Sequence, residues 1–566
     1  MDMEQRYVIG LDYGSLSGRG VLVNVGDGAI AAQAVCEYRH GIISEAMPGG
    51  QPLPPNYFLQ NPADYIEVLD AVIPQLMEQS GVCSSQVIGI GVDFTASTII
   101  PVDENEEPLQ WNRMYADRPE AWCRLWKDHA ATEQAQQLTQ VLAERDVVRL
   151  NRCGGKVSPE SLAPKVMQIF AQAPDVFAAA DHFEEAGDWI VSLLTGSPVR
   201  SKAFAACKAL WTQESGYPDD SLFAAGQAGL AHFAEKLSGK GKTSVFCSPW
   251  ERAGGLCRTM AERLGLCREI AVSAAQMDAH AAQPALGIVR AGQVVVIVGT
   301  SSGVLWQEEE EKDKSGLCSI VPDCDYPKLT GYAAGQCSVG DCFQWFMDYC
   351  VPADCVEQAV AQKQDLFEFL EQKAAVLVPG QSGLLALDWW NGNRSRLADQ
   401  NLSGMILGLT LTTRPEEIYR ALLEANAFGL AEILGAVDAD EKTVLYVCGG
   451  IAGKNRLLMQ MYADVTGCEV RVSGCTQAPA LGSAIYAAVA AGSACGGYAD
   501  MFTAVNRMSC HVYERYLPNA ESSSVYAQLY AEYRRLSAYF GKEDNMVMKR
   551  LRALAEKVGA AHSNLL

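Results

Sequence analysis

One scheme occurs twice in this chain, and the repeat constrains the fold more than any other feature. Val8-Ile9-Gly10-Leu11 is an apolar run that leads into Asp12-Tyr13-Gly14-Ser15-Leu16-Ser17 and out through Val21-Leu22-Val23. In the second half Val294 to Val298 leads into Gly299-Thr300-Ser301-Ser302-Gly303 and out through Val304-Leu305-Trp306. Each reads as strand, polar turn, strand. Glycines let the backbone approach a ligand closely, and bare amides beside Ser and Thr hydroxyls make a concavity for phosphate oxygens. A single such hairpin is explained by turn geometry alone. Two of them, one opening each half of a 566-residue chain, predict two related domains that hold a nucleotide between them. The length requires a division in any case, because one hydrophobic core does not extend that far.

The junction falls between Gly287 and Gly292, which divides the chain into an N-terminal domain 1–287 and a C-terminal domain 288–566 with a helical tail from about 497. Just before it, Ile270-Ala271-Val272 and a short loop lead to Asp278, followed by alanine-rich residues suited to a helix. That puts a carboxylate at a strand-to-helix corner, where its oxygens can face a cleft and act as a general base. A base on one side of a junction and a phosphate cradle on the other point to phosphoryl transfer. Asp12, in the first turn with a glycine and serines, suits a hydrated magnesium ion.

Between the hairpins, Asn61 to Glu78 is apolar at helical spacing, Val87 to Val92 reads as a strand, and Asp93 to Thr98 as the turn after it. Trp126-Lys127-Asp128-His129 combines an aromatic with a base, an acid and an imidazole, the groups that bind sugars; its plainer reading is a core tryptophan beside a solvated helix start. Residues 130–260 read as helices and loops. Lys208 lies between apolar neighbours, where lysine snorkels to the surface unless it points into a cleft. The acidic run Glu308 to Glu311 reads as a solvated loop. Strand Val444 to Val447, then Gly449-Gly450, then a helix from Asn455, is how a sheet lets a nucleotide near its backbone.

The charge of −22 and a pI near 4.8 exclude a nucleic-acid surface, which needs clustered Lys and Arg. The N-terminus has no signal-peptide pattern, so a cytoplasmic protein is expected. The 19 cysteines show no Cys-x-x-Cys spacing and read as reduced, mostly buried residues. Ala480 to Ala499 is built from Ala and Gly and reads as a packed helix, so no membrane contact is expected.

Taken together, Gly10-Leu11-Asp12-Tyr13-Gly14-Ser15, Gly91-Val92-Asp93-Phe94-Thr95-Ala96-Ser97, Leu125 to His129, Lys208 to Trp211, Asp278-Ala279-His280, Gly299-Thr300-Ser301, Leu387 to Gly392 and Gly449 to Asn455 resemble the FGGY carbohydrate kinases over nearly the whole chain. The Trp-Lys-Asp-His and Leu-Asp-Trp-Trp-Asn-Gly pieces resemble the ribulokinases among them. The resemblance implies an α/β fold of two ribonuclease-H-like (actin-like ATPase) domains with an interdomain cleft. The implied activity is ATP-dependent phosphorylation of a ketopentose, ribulose giving ribulose 5-phosphate as in arabinose catabolism. By the same resemblance Asp278 is the catalytic base and Asp12 holds Mg2+. Gly14, Ser15, Gly299, Thr300, Ser301, Gly449, Gly450 and Asn455 contact the nucleotide. Ala96, Trp126, Asp128, Lys208, Asp278 and Ala333 lie at or near the sugar. The expected partners are a small-molecule sugar and ATP, and a homodimer is admitted. Two departures stand out: Ala333 replaces a sugar-binding glutamate, and Pro284 interrupts the run after Asp278, so its helix should be short or kinked. The runner-up is another pentulose or polyol kinase of the family. An actin-like ATPase without kinase activity, acting as chaperone or filament protein, is set against it by Asp278 and the Trp126 cluster; a dead sugar sensor is set against it by Asp12 and Asp278 together.

Overall fold

The structure is a computed structural model and describes residues 5–230, 232–239, 245–437, 442–541 and 545–563, so the first four residues of the N-terminal segment lie outside it. In the first half, β1 (Tyr7–Tyr13), β2 (Ser17–Asn24) and β3 (Ile30–Glu37) form an antiparallel meander. α1 (Pro62–Ser80) then crosses over, and β4 (Val87–Phe94) returns parallel to β1. α1 begins where Asn61 accepts a hydrogen bond from the Ala63 amide at 3.1 Å and Pro62 takes the first helical position, and it ends at the left-handed Gly81. Its buried residues Tyr65, Val68, Leu69, Val72, Ile73 and Leu76 recur at helical spacing and pack on the sheet. After a largely helical segment that includes α2 (Lys202–Lys208) come β5 (Arg252–Gly255), β6 (Ala271–Ser273), β7 (Gln276–Met277) and α3 (Asp278–Ala285). The sheet runs β5-β6-β4-β1-β2-β3, with β7 pairing the end of β4.

The second half repeats this plan. β8 (Gln293–Val298), β9 (Ser302–Glu308), β10 (Ser319–Pro322) and β11 (Thr330–Gln336) are the antiparallel part. They are followed by α4 (Gly340–Tyr349) and α5 (Pro415–Leu434), after which β12 (Val444–Cys448) returns parallel to β8. α6 (Arg456–Thr466), β13 (Glu469–Ser473), α7 (Ala478–Ala491), β14 (Tyr513–Tyr516) and α8 (Ala520–Gly541) complete it, and the sheet order is β10-β11-β9-β8-β12-β13-β14. In both sheets a hairpin strand lies centrally and finds its parallel partner only after a crossover. That brings the polar end of each hairpin to the carboxyl edge, where α/β sheets bind ligands.

One apolar cluster joins the halves. It contains Val8, Val21 and Val23 of the first sheet, Val295, Leu305 and Tyr446 of the second, and Ala281, Ala285, Ala484 and Ala488 of the helices between them. α7 belongs to the second half by sequence yet lies on β1 and β4 of the first. The approach is close enough to require glycine: a Cβ on Gly91 would sit 1.9 Å from the Ser483 carbonyl oxygen, and one on Gly482 1.6 Å from that of Ala281. This explains why the segment is built from alanine and glycine, and among the described residues no helix is long and apolar enough to cross a membrane.

Several local expectations change. Asp12 and Asp93 belong to β1 and β4 and do not lie in the turns. The segment 130–260 is mainly helical but also holds short strands, His182–Glu185 and Val199–Ser201 among them. The tail after 497 is not purely helical, since β14 pairs antiparallel with β13 and extends the second sheet. α3 is short as Pro284 predicts, ending one residue beyond it. All 19 cysteines are free, but only eight are buried, so the view of them as mostly interior residues is too strong.

Candidate active site

Three carboxylates gather where β1, β4 and β7 end. Asp12 and Asp93 face each other in the parallel register of β1 and β4, and Gln276 of β7 pairs with Asp93, which sets Asp278 just beyond the sheet edge as the first residue of α3. Asp93 Oδ2 accepts a hydrogen bond from Ser483 Oγ at 2.6 Å, while its Oδ1 is buried without a partner. Burial raises the carboxyl pKa of Asp12 against the opposing charge of Arg19; burial and the Asp12 charge raise that of Asp93. Two buried acids side by side with an unsatisfied oxygen fit a divalent cation, whose charge would relieve both.

Asp278 is half-buried, and one of its oxygens accepts the Ala279 amide at 2.7 Å. Burial first and then the charge of Asp12 push its pKa up to about 6, against the Ala279 amide, His280 and Lys208. A carboxylate tuned toward neutrality and set at a cleft is suited to general-base work.

The hairpin turns flank this centre. In the first, the Gly14 amide donates to the Ser17 carbonyl at 3.0 Å, and Ser15 Oγ accepts from Trp126 Nε1 at 3.0 Å, so one expected phosphate residue and one expected sugar residue touch each other. In the second, the Gly299 amide donates to the Ser301 carbonyl at 2.9 Å. The amides of Val339 and Gly340 donate to the Thr300 and Gly299 carbonyls at 2.8 and 3.0 Å, so the start of α4 braces the turn. Gly449 follows β12 with φ of 104°, and a Cβ there would meet the Val298 carbonyl oxygen at 2.4 Å, so this corner excludes any side chain. Gly299, Thr300, Gly450 and Asn455 line a cavity of about 830 Å³ whose wall includes Phe343 and Tyr419. Asn455 is structural as well: its Oδ1 caps α6 by accepting the Leu458 amide at 2.8 Å, and its Nδ2 donates to Tyr419 Oη at 3.1 Å. An aromatic wall beside closely approachable glycine backbone suits an adenosine with its phosphates.

A second cavity, about 170 Å³, is lined by Glu160, Lys208, Cys207, Cys318 and Arg394. Glu160 lies 3.0 Å from His129 Nε2, and although burial opposes it, His129, Arg394 and Lys208 hold its pKa down to about 2. It is therefore an acceptor at any physiological pH. Ala96 lies in the turn after β4, whose Ser97 takes φ of 62°; Lys165 Nζ donates to the carbonyls of Ser97 and Leu125 at 2.8 and 2.9 Å and ties that turn to the Trp126 loop.

Two expected sugar residues differ from this pattern. Asp128 is fully buried; its oxygens accept from Arg124 and from the amides of Phe58 and Ala130, so its observed work is holding the loop beneath Trp126. Ala333 is buried on β11 in the apolar cluster, paired with Leu305 and Ser319. Asp93, Glu160 and Arg394 were not singled out by sequence. The signal for Asp93 was present, since Gly-Leu-Asp-Tyr and Gly-Val-Asp-Phe are the same strand ending written twice.

Residues 7–283 match the N-terminal domain, and residues 294–491 the C-terminal domain, of the FGGY family of carbohydrate kinases. The chain belongs to the FGGY carbohydrate kinases. Similar relatives are a ribulokinase of Shouchella clausii, 46% identical over 99% of this chain and 100% of that one, and a ribulokinase of Bacillus licheniformis, 48% identical over 95% and 97%. Among solved structures, a xylulose kinase from Rhodospirillum rubrum superposes with a TM-score of 0.74 at 23% identity, covering 94% of this chain and 99% of that one. A glycerol kinase from Plasmodium falciparum with ADP gives 0.72 at 14%, covering 94% and 98%. The duplicated sheets are thus the two-domain, actin-like ATPase fold of FGGY kinases, and the chain is a carbohydrate kinase that takes ATP and a sugar and needs a metal ion.

Proposed function

We propose that this FGGY kinase transfers the γ-phosphoryl group of ATP to ribulose, giving ribulose 5-phosphate. The observation that carries the reading is Asp278, a half-buried carboxylate at the start of α3 raised to about 6 by burial and the Asp12 charge, with Lys208 near enough to act on it. It is supported by ribulokinase relatives aligned from end to end. The first domain, 1–287, supplies the base and most sugar contacts, and the second, 288–566, most nucleotide contacts. Lys208, Arg394, Glu160 and the Ala96 turn orient the sugar, with Trp126 fixed above Ser15. Asp278 accepts the proton of the attacking hydroxyl as the bond to phosphorus forms. Gly14, Ser15, Gly299, Thr300 and Ser301 hold phosphate oxygens, with Gly449, Gly450 and Asn455 at the nucleoside. Asp12 and Asp93 would hold Mg2+, which would supply positive charge against that of the phosphates. Closure of the halves excludes water, so hydrolysis without sugar is slow.

Ala333 is buried in the apolar cluster and does not line this cavity, so sugar selectivity rests on Glu160 and Lys208. The test is a Mg-ATP coupled assay with L-ribulose, D-ribulose, xylulose and ribitol. Ribulose should be turned over in preference to xylulose and ribitol. Preference for another sugar by more than tenfold would overturn the substrate assignment.

A further inference from the structure

Two thiols meet beside the sugar-side cavity. Cys207 sits in α2 immediately before Lys208, and Cys324 lies in the connection from β10 to β11 of the other half. Their sulfurs are 4.0 Å apart. Cys207 Sγ also lies 3.9 Å from Ser319 Oγ, and Cys324 Sγ lies 3.6 Å from His280 Nδ1. Cys207 lines the cavity of about 170 Å³ together with Lys208, Glu160 and Arg394, so a small solute in the cleft can reach it, whereas Cys324 is fully enclosed. An accessible sulfur backed by a buried one is the arrangement of an attacking and a resolving cysteine.

We propose that Cys207 and Cys324 are an oxidation site for small hydroperoxides, closing to a disulfide that ties the two halves together and stops the kinase. The Cys207 thiolate attacks the peroxide, the O–O bond breaks, and Cys207 becomes a sulfenic acid as hydroxide (or, from an alkyl hydroperoxide, alkoxide) leaves and takes a proton to become water or the alcohol. Cys324 then attacks that sulfur, the S–O bond breaks, and water leaves with the disulfide formed. Two thiols are oxidised by two electrons and one peroxide is reduced. Cys207 lines the cavity and Cys324 does not, which makes Cys207 the attacking partner; the hydrogen bond with Cys324, with His280 and Lys208 nearby, favours its thiolate against burial. Cys207, His280 and Cys324 also lie within 4.8 Å of one another, a spacing open to a metal ion. The imidazole nitrogen facing Cys324 is, however, 2.9 Å from Asp325 Oδ1, and a carboxylate there holds that nitrogen as an N–H donor with no lone pair for a metal. Bond formation must shorten 4.0 Å to about 2.05 Å, which pulls the end of α2, and Lys208 with it, toward the second half.

The loss of activity rests on Lys208 contacting the sugar, as proposed above; the disulfide itself does not. Reduced, desalted protein is exposed to hydrogen peroxide, alkylated and digested, and its peptides are mapped by mass spectrometry, with kinase activity on ribulose measured in parallel. The expected result is a Cys207–Cys324 linked peptide, a loss of kcat/KM of at least about tenfold, and recovery with dithiothreitol. Cys324→Ser, outside the cavity lining, should match the parent when reduced, form no linked peptide and keep its activity in peroxide. Thiols that stay alkylatable, a different pairing such as Cys153–Cys318, or a stoichiometric metal whose removal alone frees Cys207 and Cys324 for alkylation would overturn the proposal. Linkage without loss of activity would overturn the switch. A reduced protein inactive on ribulose yet forming the link would refute the substrate reading and leave the oxidation site standing.

Discussion

Replacing Asp278 by Asn removes the proton acceptor while keeping shape and size. Phosphoryl transfer gains most from positioning and charge, and a placed general base adds about 10²–10⁴ in rate, which at about 1.36 kcal/mol per decade is about 3–5 kcal/mol of barrier. The structure adds a sign. Burial and the charge of Asp12 push Asp278 to about 6, so the active, ionised form is lost as pH falls through that value. For the parent, kcat/KM for ribulose should hold above about pH 7 and fall tenfold per unit below about pH 6. In Asp278→Asn that limb should vanish with the activity, while ATP affinity stays put and the melting temperature at neutral pH does not fall, because the only hydrogen bond to Asp278 among those described is from its own neighbour Ala279 and the substitution removes a charge that burial disfavours. The assay is a coupled ADP-release measurement from pH 5 to 8, with ATP binding by calorimetry. A variant within tenfold of the parent, or a parent profile flat down to pH 5, would refute the assignment of the base.

Glu160→Gln should raise KM for the sugar by about 10–100-fold with KM for ATP unchanged, as expected for losing one ionic acceptor worth about 1–3 kcal/mol; an equal effect on both substrates would count against its place in the sugar cavity. Gly91→Val should destabilise the fold by about 3 kcal/mol or more, since its Cβ alone would lie 1.9 Å from the Ser483 carbonyl oxygen, and an unchanged denaturant midpoint would show that α7 does not pack as described. His182 is buried against Glu106 at 3.2 Å and Glu184 at 3.6 Å, which outweigh burial and raise its pKa to about 9. Its contribution to stability is therefore full below about 6.5 and lost as pH rises through about 9, so His182→Gln should flatten the stability profile over that window; a parent whose stability is constant from pH 6.5 to 9.5 would contradict this. Saturating ribulose with a non-hydrolysable ATP analogue should compact the molecule in small-angle scattering, and an unchanged radius of gyration would argue against closure.

What the sequence disclosed and what it concealed follow from the range of the forces involved. The two hairpins were legible because glycine and serine between runs of β-branched residues encode turn and strand within a dozen positions. The Asn61 cap and the Tyr65 to Leu76 spacing likewise define α1 locally. Asp93 was legible as a residue but not as a partner of Asp12, because their pairing depends on a register set across a crossover. Glu160 and Arg394 come from segments far apart in the chain and meet only when the halves do. The alanine-rich helix was foreseen as packed, yet nothing in its composition says that it lies on the opposite half's sheet. β14 is four mostly polar residues whose strand character comes from pairing with β13, so no local pattern could reveal it. Asp128 beside Trp126 suggested a sugar contact by composition, and burial against Arg124 gave it a different task.

In the proposed reaction a sugar hydroxyl, activated at Asp278, takes the phosphoryl group from ATP. Phosphorus NMR of the purified chain with Mg-ATP and L-ribulose tests it most directly. The account predicts a sugar phosphomonoester growing in step with ADP, and no such signal with Asp278→Asn; ADP accompanied only by inorganic phosphate, at a rate indifferent to the sugar, would contradict it.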